Sequence, residues 1–193
     1  IYPQRAYSHW RLQLHDTLLQ AHRLYHTHLS PNILERPRLA QSHSRLLSKV
    51  VSLRPLLAPA VKETRLNSSL FEAIQTTMRN TLCTLEMLAN TYWSDRQSHF
   101  LMQSTPELRA CQQATEALMI ELALMLKSGD LKGSEQAITQ LQEAATRVRL
   151  DARGEAAISG YLWLSLQLTE QLTHLRRLLG LVMYPPRSQS DDR

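Results

Sequence analysis

AAISGYLWLSLQLTEQLTHLRRLLGLVMYPPR, residues 156–187, is the stretch whose reading decides the fold. Ile158, Tyr161, Leu162, Leu168, Leu172, Leu175 and Leu179 recur at helical spacing, which lines them along one face. The pattern predicts a helix from Ala156 to Leu179. Arg176 and Arg177 fall in its last turn, where cations suit the helix dipole. Gly180 reads as the stop, and Pro185-Pro186 bar continuation. An apolar helical face must be covered by other elements. The expectation is therefore the last helix of a bundle.

Composition agrees. The chain has 193 residues, enough for a sizeable core. Its apolar content of 43% marks it as globular rather than disordered. Leu, Gln, Ala and Arg dominate, and most glycines (Gly129, Gly133, Gly154 and Gly180) fall at proposed helix ends. Alternating apolar runs are scarce. These features predict an all-α fold, an antiparallel bundle of about six helices. The expected organisation is one helical-bundle domain over residues 1–187 and a polar tail or linker over 188–193.

Upstream, Tyr7, Trp10, Leu14, Leu18, Ala21, Tyr25 and Leu29 predict a first helix that Tyr2-Pro3 opens, with the proline in its first turn. Ser30-Pro31-Asn32 breaks it. A second helix is expected from Arg36 to Leu53, with Pro55 and Pro59 bending or stopping it. Leu56 to Ala58 reads as a short buried turn and Ala60 to Leu66 as an irregular helical piece. Phe71, Ile74, Met78, Leu82, Leu85, Ala89 and Tyr92 form the narrowest apolar stripe, started by Ser69 with Glu72 three residues on. Asp95 to Met102 reads as a connection. Ser104-Thr105-Pro106-Glu107 starts the next helix, which carries Leu108, Cys111, Leu118, Met119, Leu122, Met125 and Leu126 and stops at Gly129. Ser134 is expected to cap a shorter one with Ile138, Leu141, Ala145 and Val148 inward.

Chemistry is sparse. His22 and His26 stand four residues apart, a spacing that can place two imidazoles on one metal. They are the weak metal candidates; His15 shares their side of the helix, and no third ligand is evident. The pair otherwise reads as a polar flank of the first helix. Cys83 and Cys111 lack flanking signatures of nucleophiles and read as small helix hydrophobes. Met78, Met87, Met119 and Met125 read as core filling. Glycine-rich phosphate loops, nucleophile elbows and Glu-x-x-His pairs are missing. No enzyme activity and no cofactor are expected. The formal charge of +5 is spread along the chain, which argues against nucleic acid as a partner. No run of eighteen apolar residues occurs. The chain opens on Ile1, and the expectation is a processed or excised piece of a longer protein.

Arg5, Arg11, Arg176, Arg177 and Arg187 gather toward the two ends of the sequence, as basic residues flank membrane spans on the inner side. The opening Ile1-Tyr-Pro-Gln-Arg-Ala-Tyr-Ser-His-Trp-Arg-Leu12 and the closing Leu172 to Met183 are similar to the soluble parts of the fusaric-acid-resistance/aromatic-acid-exporter family, proteins of the YccS and YhfK type. That resemblance implies a cytoplasmic helical domain of a bacterial inner-membrane efflux protein. It would serve assembly or regulation, with its own transmembrane segments and an anionic membrane surface as partners, and it would form a homo-oligomer. The five arginines would then be membrane-proximal, and the free ends of the first and last helices should be neighbours. The alternatives are a free-standing helical adaptor or effector and a metal- or ligand-binding bundle using His22 and His26. An exposed Trp163 would favour an interaction surface.

Overall fold

Eight helices follow one another in the computed structural model, which describes residues 5–29, 34–36, 38–152 and 160–186. They are α1 (Arg5–Leu29), α2 (Ala40–Val51), α3 (Arg54–Thr64), α4 (Ser68–Ser94), α5 (Arg96–Ser104), α6 (Pro106–Ser128), α7 (Lys132–Ala152) and α8 (Gly160–Met183). No strand occurs among the described residues. The all-α bundle expected from the sequence is what forms. Two of its helices were not anticipated as such. Residues 54–64 make one helix with Pro55 in its first turn and Pro59 inside it. Residues 96–104 make another, capped by Asp95, whose carboxylate accepts from the Gln97 amide at 2.9 Å.

The long neighbours run antiparallel. Arg11 of α1 lies beside Leu126 near the end of α6, and Gln112 near the start of α6 reaches Leu29 at the end of α1. Tyr92 at the end of α4 packs on Tyr161 at the start of α8, ring centroids 5.6 Å apart. Arg149 of α7 meets Glu170 of α8, while Arg176 meets Glu135. α6 bears mainly on α1 and α7, and α4 mainly on α8.

Helices amphipathic in sequence bury the faces read from it. Trp10, Leu14, Leu18, Ala21, Tyr25 and Leu29 of α1 are all buried, as are the seven stripe residues of α4. Trp10 tilts against Phe71 with centroids 5.0 Å apart. Every one of the eight helices contributes to one continuous core. A Leu fully buried there is stabilised by roughly 2 kcal/mol over an exposed one.

Helix ends depart from the local signals. The second helix begins at Ala40 rather than Arg36. Asn67, not Ser69, caps α4, its side chain accepting from the Ser69 amide at 3.0 Å. Ser134 lies inside α7 and donates to the Leu131 carbonyl, while the Asp130 carboxylate accepts from the Lys132 amide. α8 continues through Gly180 to Met183. Arg176 and Arg177 therefore sit short of its last turn. The expected start at Ala156 lies outside the described residues, as do the Ser30-Pro31-Asn32 break and the 188–193 tail.

Several ends are instead closed by side chains from other helices. The Glu63 carboxylate at the end of α3 accepts from the Ala6 and Tyr7 amides, at 3.1 and 2.9 Å. It thereby satisfies two of the orphan donors of the first turn of α1. Gln112 donates to the Leu29 carbonyl, Arg11 to the Leu126 carbonyl and Gln75 to the Val50 carbonyl. Four helix ends are thus held by residues distant in sequence.

Candidate functional site

Two regions carry the functional candidates: one end of the bundle and the outer flank of α1. At the first, the start of α1 meets the ends of α3, α6 and α8. Burial raises the pKa of Tyr7, Arg11 opposes it, and Tyr184, just past α8, adds to the rise. A Cβ placed on Gly129 would sit 3.5 Å from the Tyr184 hydroxyl. The described ends of α1 and α8 are therefore neighbours. Exposed cations surround them: Arg5, Lys62, Arg65, Lys127 and Lys132. Of the carboxylates there, Glu63 and Asp130 serve as helix caps, Glu121 lies against Gly133 and Glu135 meets Arg176. Leu181 and Tyr184 add exposed apolar surface.

The predicted arginines divide. Arg5 is exposed at this end. Arg11 donates through Nε to the Leu126 carbonyl at 3.0 Å, and its guanidinium lies 5.6 Å from the Tyr7 ring centre. Arg176 is mostly covered and reaches Ser134 and Glu135, each at 3.4 Å. Arg177 is exposed and donates to Nδ1 of His174 at 2.9 Å. Arg187 lies outside the described residues. Lys62, Arg65, Lys127 and Lys132 belong to the same basic region but were not singled out. Each reads as an ordinary helix-end charge until the helices are placed together.

On the flank of α1, His22 and His26 lie with ring centroids 6.0 Å apart and planes at 23°. His26 Nδ1 is 2.9 Å from Glu116 Oε1 on α6. The pKa of His22 is lowered, by burial first, with Glu116 pulling the other way. His15 points inward; its Nδ1 meets the Ala123 carbonyl at 2.6 Å and so must carry the proton. Among the described residues no three metal-binding side chains converge. His22 and His26 stand together as read, and Glu116 is paired with His26, but among the described residues these side chains do not form a set of three arranged to hold an ion.

The remaining candidates are placed as follows. Cys83 is exposed, whereas Cys111 is buried and burial pushes its thiol up to about 11. A thiol so placed is poorly suited to act as a thiolate nucleophile. His43 is buried, and His99 stacks on Tyr92 with ring centroids 4.1 Å apart. Met87 is exposed rather than core filling. A groove of about 590 Å³ runs between α7 and α8, with Ile138, Leu141 and Ala145 along its floor and Arg149, Arg176 and Arg177 on its rim. No sequence motif announced it, because it arises where two helices that each pack elsewhere diverge. Trp163 on α8 is 55% exposed.

Comparison with known proteins finds similarity to the inner membrane protein YeeA of Escherichia coli (strain K12), 38% identical over 186 residues. The match covers 93% of this chain and 53% of YeeA, so the chain spans about half the length of that relative. No family model and no solved structure matches. These findings correct the resemblance to the fusaric-acid-resistance family: the similarity is to YeeA, not to proteins of the YccS or YhfK type. Among the described residues no helix is long and apolar enough to cross a membrane. A transport or efflux role rested on that resemblance and loses its support with it.

Proposed function

We propose that this chain is a non-enzymatic helical domain that works at the cytoplasmic face of a bacterial inner membrane, in the assembly or regulation of membrane-embedded protein. One observation carries the reading: the neighbouring ends of α1 and α8 share one end of the bundle with five exposed cations. Glu63 and Asp130 there are engaged in capping, and Glu135 is paired with Arg176. The similarity to an inner membrane protein supports a membrane setting. The excess of arginine and lysine supports the cytoplasmic side, where basic residues flank membrane segments. Anionic lipid is the partner that fits this charge, each cation near such a surface contributing about 1 kcal/mol. Leu181 and Tyr184 suit the interface, since tyrosine rings settle at headgroup level.

The test is sedimentation of the chain with vesicles. Binding to vesicles rich in phosphatidylglycerol, weakening with salt and absent on pure phosphatidylcholine, is expected. Replacing Lys127 and Lys132 together by Gln should reduce it several-fold without changing helicity. Equal binding to both lipids, or none to either, would overturn the membrane-surface reading. A second reading, a protein-interaction adaptor, is favoured by the exposed Trp163 and Phe100. It gains if lipid binding fails.

A further inference from the structure

We infer that two copies of this chain pair antiparallel along the outward face of α8. The reasoning begins with the order of residues on that face. Glu170 and His174 stand two residues either side of Leu172, and both are exposed. Turning a second α8 about an axis at the level of Leu172 sets Glu170 of one copy against His174 of the other. The same rotation sets Gln167 against Arg177, a carbonyl acceptor against a guanidinium donor. One turn further out it sets Trp163 against Leu181, the two large apolar side chains of the stripe, 55% and 43% exposed.

This is the self-complementarity a two-fold interface requires, in which one patch serves both partners. Each of these levels finds a suitable counterpart: apolar on apolar, acceptor on donor, acid on imidazole. A parallel pairing of the same stripe would put Glu170 on Glu170 and Arg177 on Arg177, which like-charge repulsion opposes. The stripe is also free to take a partner. α8 buries its other face on α4, and it diverges from α7 across the groove between them. The Arg149–Glu170 contact, at 3.1 Å between exposed side chains, leaves the second carboxylate oxygen for His174 of the other copy. The occupant is thus a second copy of this chain. The inference does not rest on the membrane reading, because it is tested in solution without lipid.

Sedimentation velocity should show a concentration-dependent dimer. Trp163→Ala should weaken it at least tenfold, since tryptophan is among the residues that contribute most to such interfaces. Glu170→Lys should weaken it as well, and Glu170→Lys with His174→Glu should restore it, a rescue that lost folding would not allow. Register is tested by disulfide formation in a Cys83→Ser background. Gln167→Cys and Arg177→Cys, mixed and oxidised, should cross-link to each other and neither to itself. In the antiparallel pair like positions lie roughly 15 Å apart along the helix, beyond disulfide reach. A monomer at every accessible concentration, or efficient cross-linking of either variant alone, would overturn the proposal.

Discussion

Glu63 shows how much a single side chain can organise. Its two oxygens accept from consecutive amides of another helix, a task usually given to a local Ser, Thr, Asp or Asn. Glu63→Ala should lower stability by about 1–2 kcal/mol, seen as a lower urea midpoint with unchanged slope. His43 carries a pH effect. It is buried, its Nε2 has no hydrogen-bond partner among the described residues, and burial holds its pKa below 6.5, with Glu86 opposing. Unfolding restores the ordinary value, so the unfolded chain takes up the proton first. Stability is complete above about pH 6.5 and falls as pH drops toward the lower folded value. His22, lowered for the same reason, adds to the fall. Urea midpoints at about pH 7.5 and about pH 5.5 should differ, and His43→Gln should shrink the difference; an unchanged difference would exclude His43 as a cause. The cysteines separate by access: a thiol reagent should modify Cys83 at once and Cys111 only on unfolding.

At the level of helices, two glycines make opposite predictions. Gly129 closes α6 at φ 79°, a left-handed conformation that penalises a side chain. Gly129→Ala should cost about 1 kcal/mol. Gly180 lies inside α8, where an added Cβ would meet only the Arg176 guanidinium at 3.5 Å, an ordinary contact. Gly180→Ala should raise stability by about 0.5–1 kcal/mol. Thermal melts of the two variants should move in opposite directions. The contrast also shows what a sequence discloses. Stripes such as Phe71 to Tyr92 are legible because burial selects a face, and every stripe residue there is buried. Ends are less legible, since Gly129 and Gly180 look alike locally. Gln112 closing α1 and Arg11 closing α6 act across 83 and 115 residues. No local window contains such partners. The basic end is hidden for the same reason: Arg5, Arg65 and Lys132 meet only through the topology. His22 and His26 were visible because four residues is one helical turn, whereas Glu116 beside them required α6 to be placed.

The whole molecule shares one core drawn from all eight helices. Loss of any helix exposes the faces of its neighbours, so unfolding should be a single cooperative event. Far-ultraviolet circular dichroism and tryptophan fluorescence should give coincident transitions; separated midpoints would divide the core into independent parts. Trp10→Ala should lower that common midpoint strongly, by about 3–5 kcal/mol, because the ring ties α1 to α4. The pairing through α8 bears on arrangement as well. Its two-fold axis crosses the helices, so it sets the basic ends of the two copies at opposite ends of the pair. The neighbouring ends of α1 and α8 have a consequence for chain topology. The path from Arg5 to Tyr184 is nearly a closed circuit. A short Gly/Ser linker between those ends would seal it into a ring at small entropic expense. The ring could then be opened at the exposed turn around Asp130, giving a circular permutant with the same packing and a new first residue.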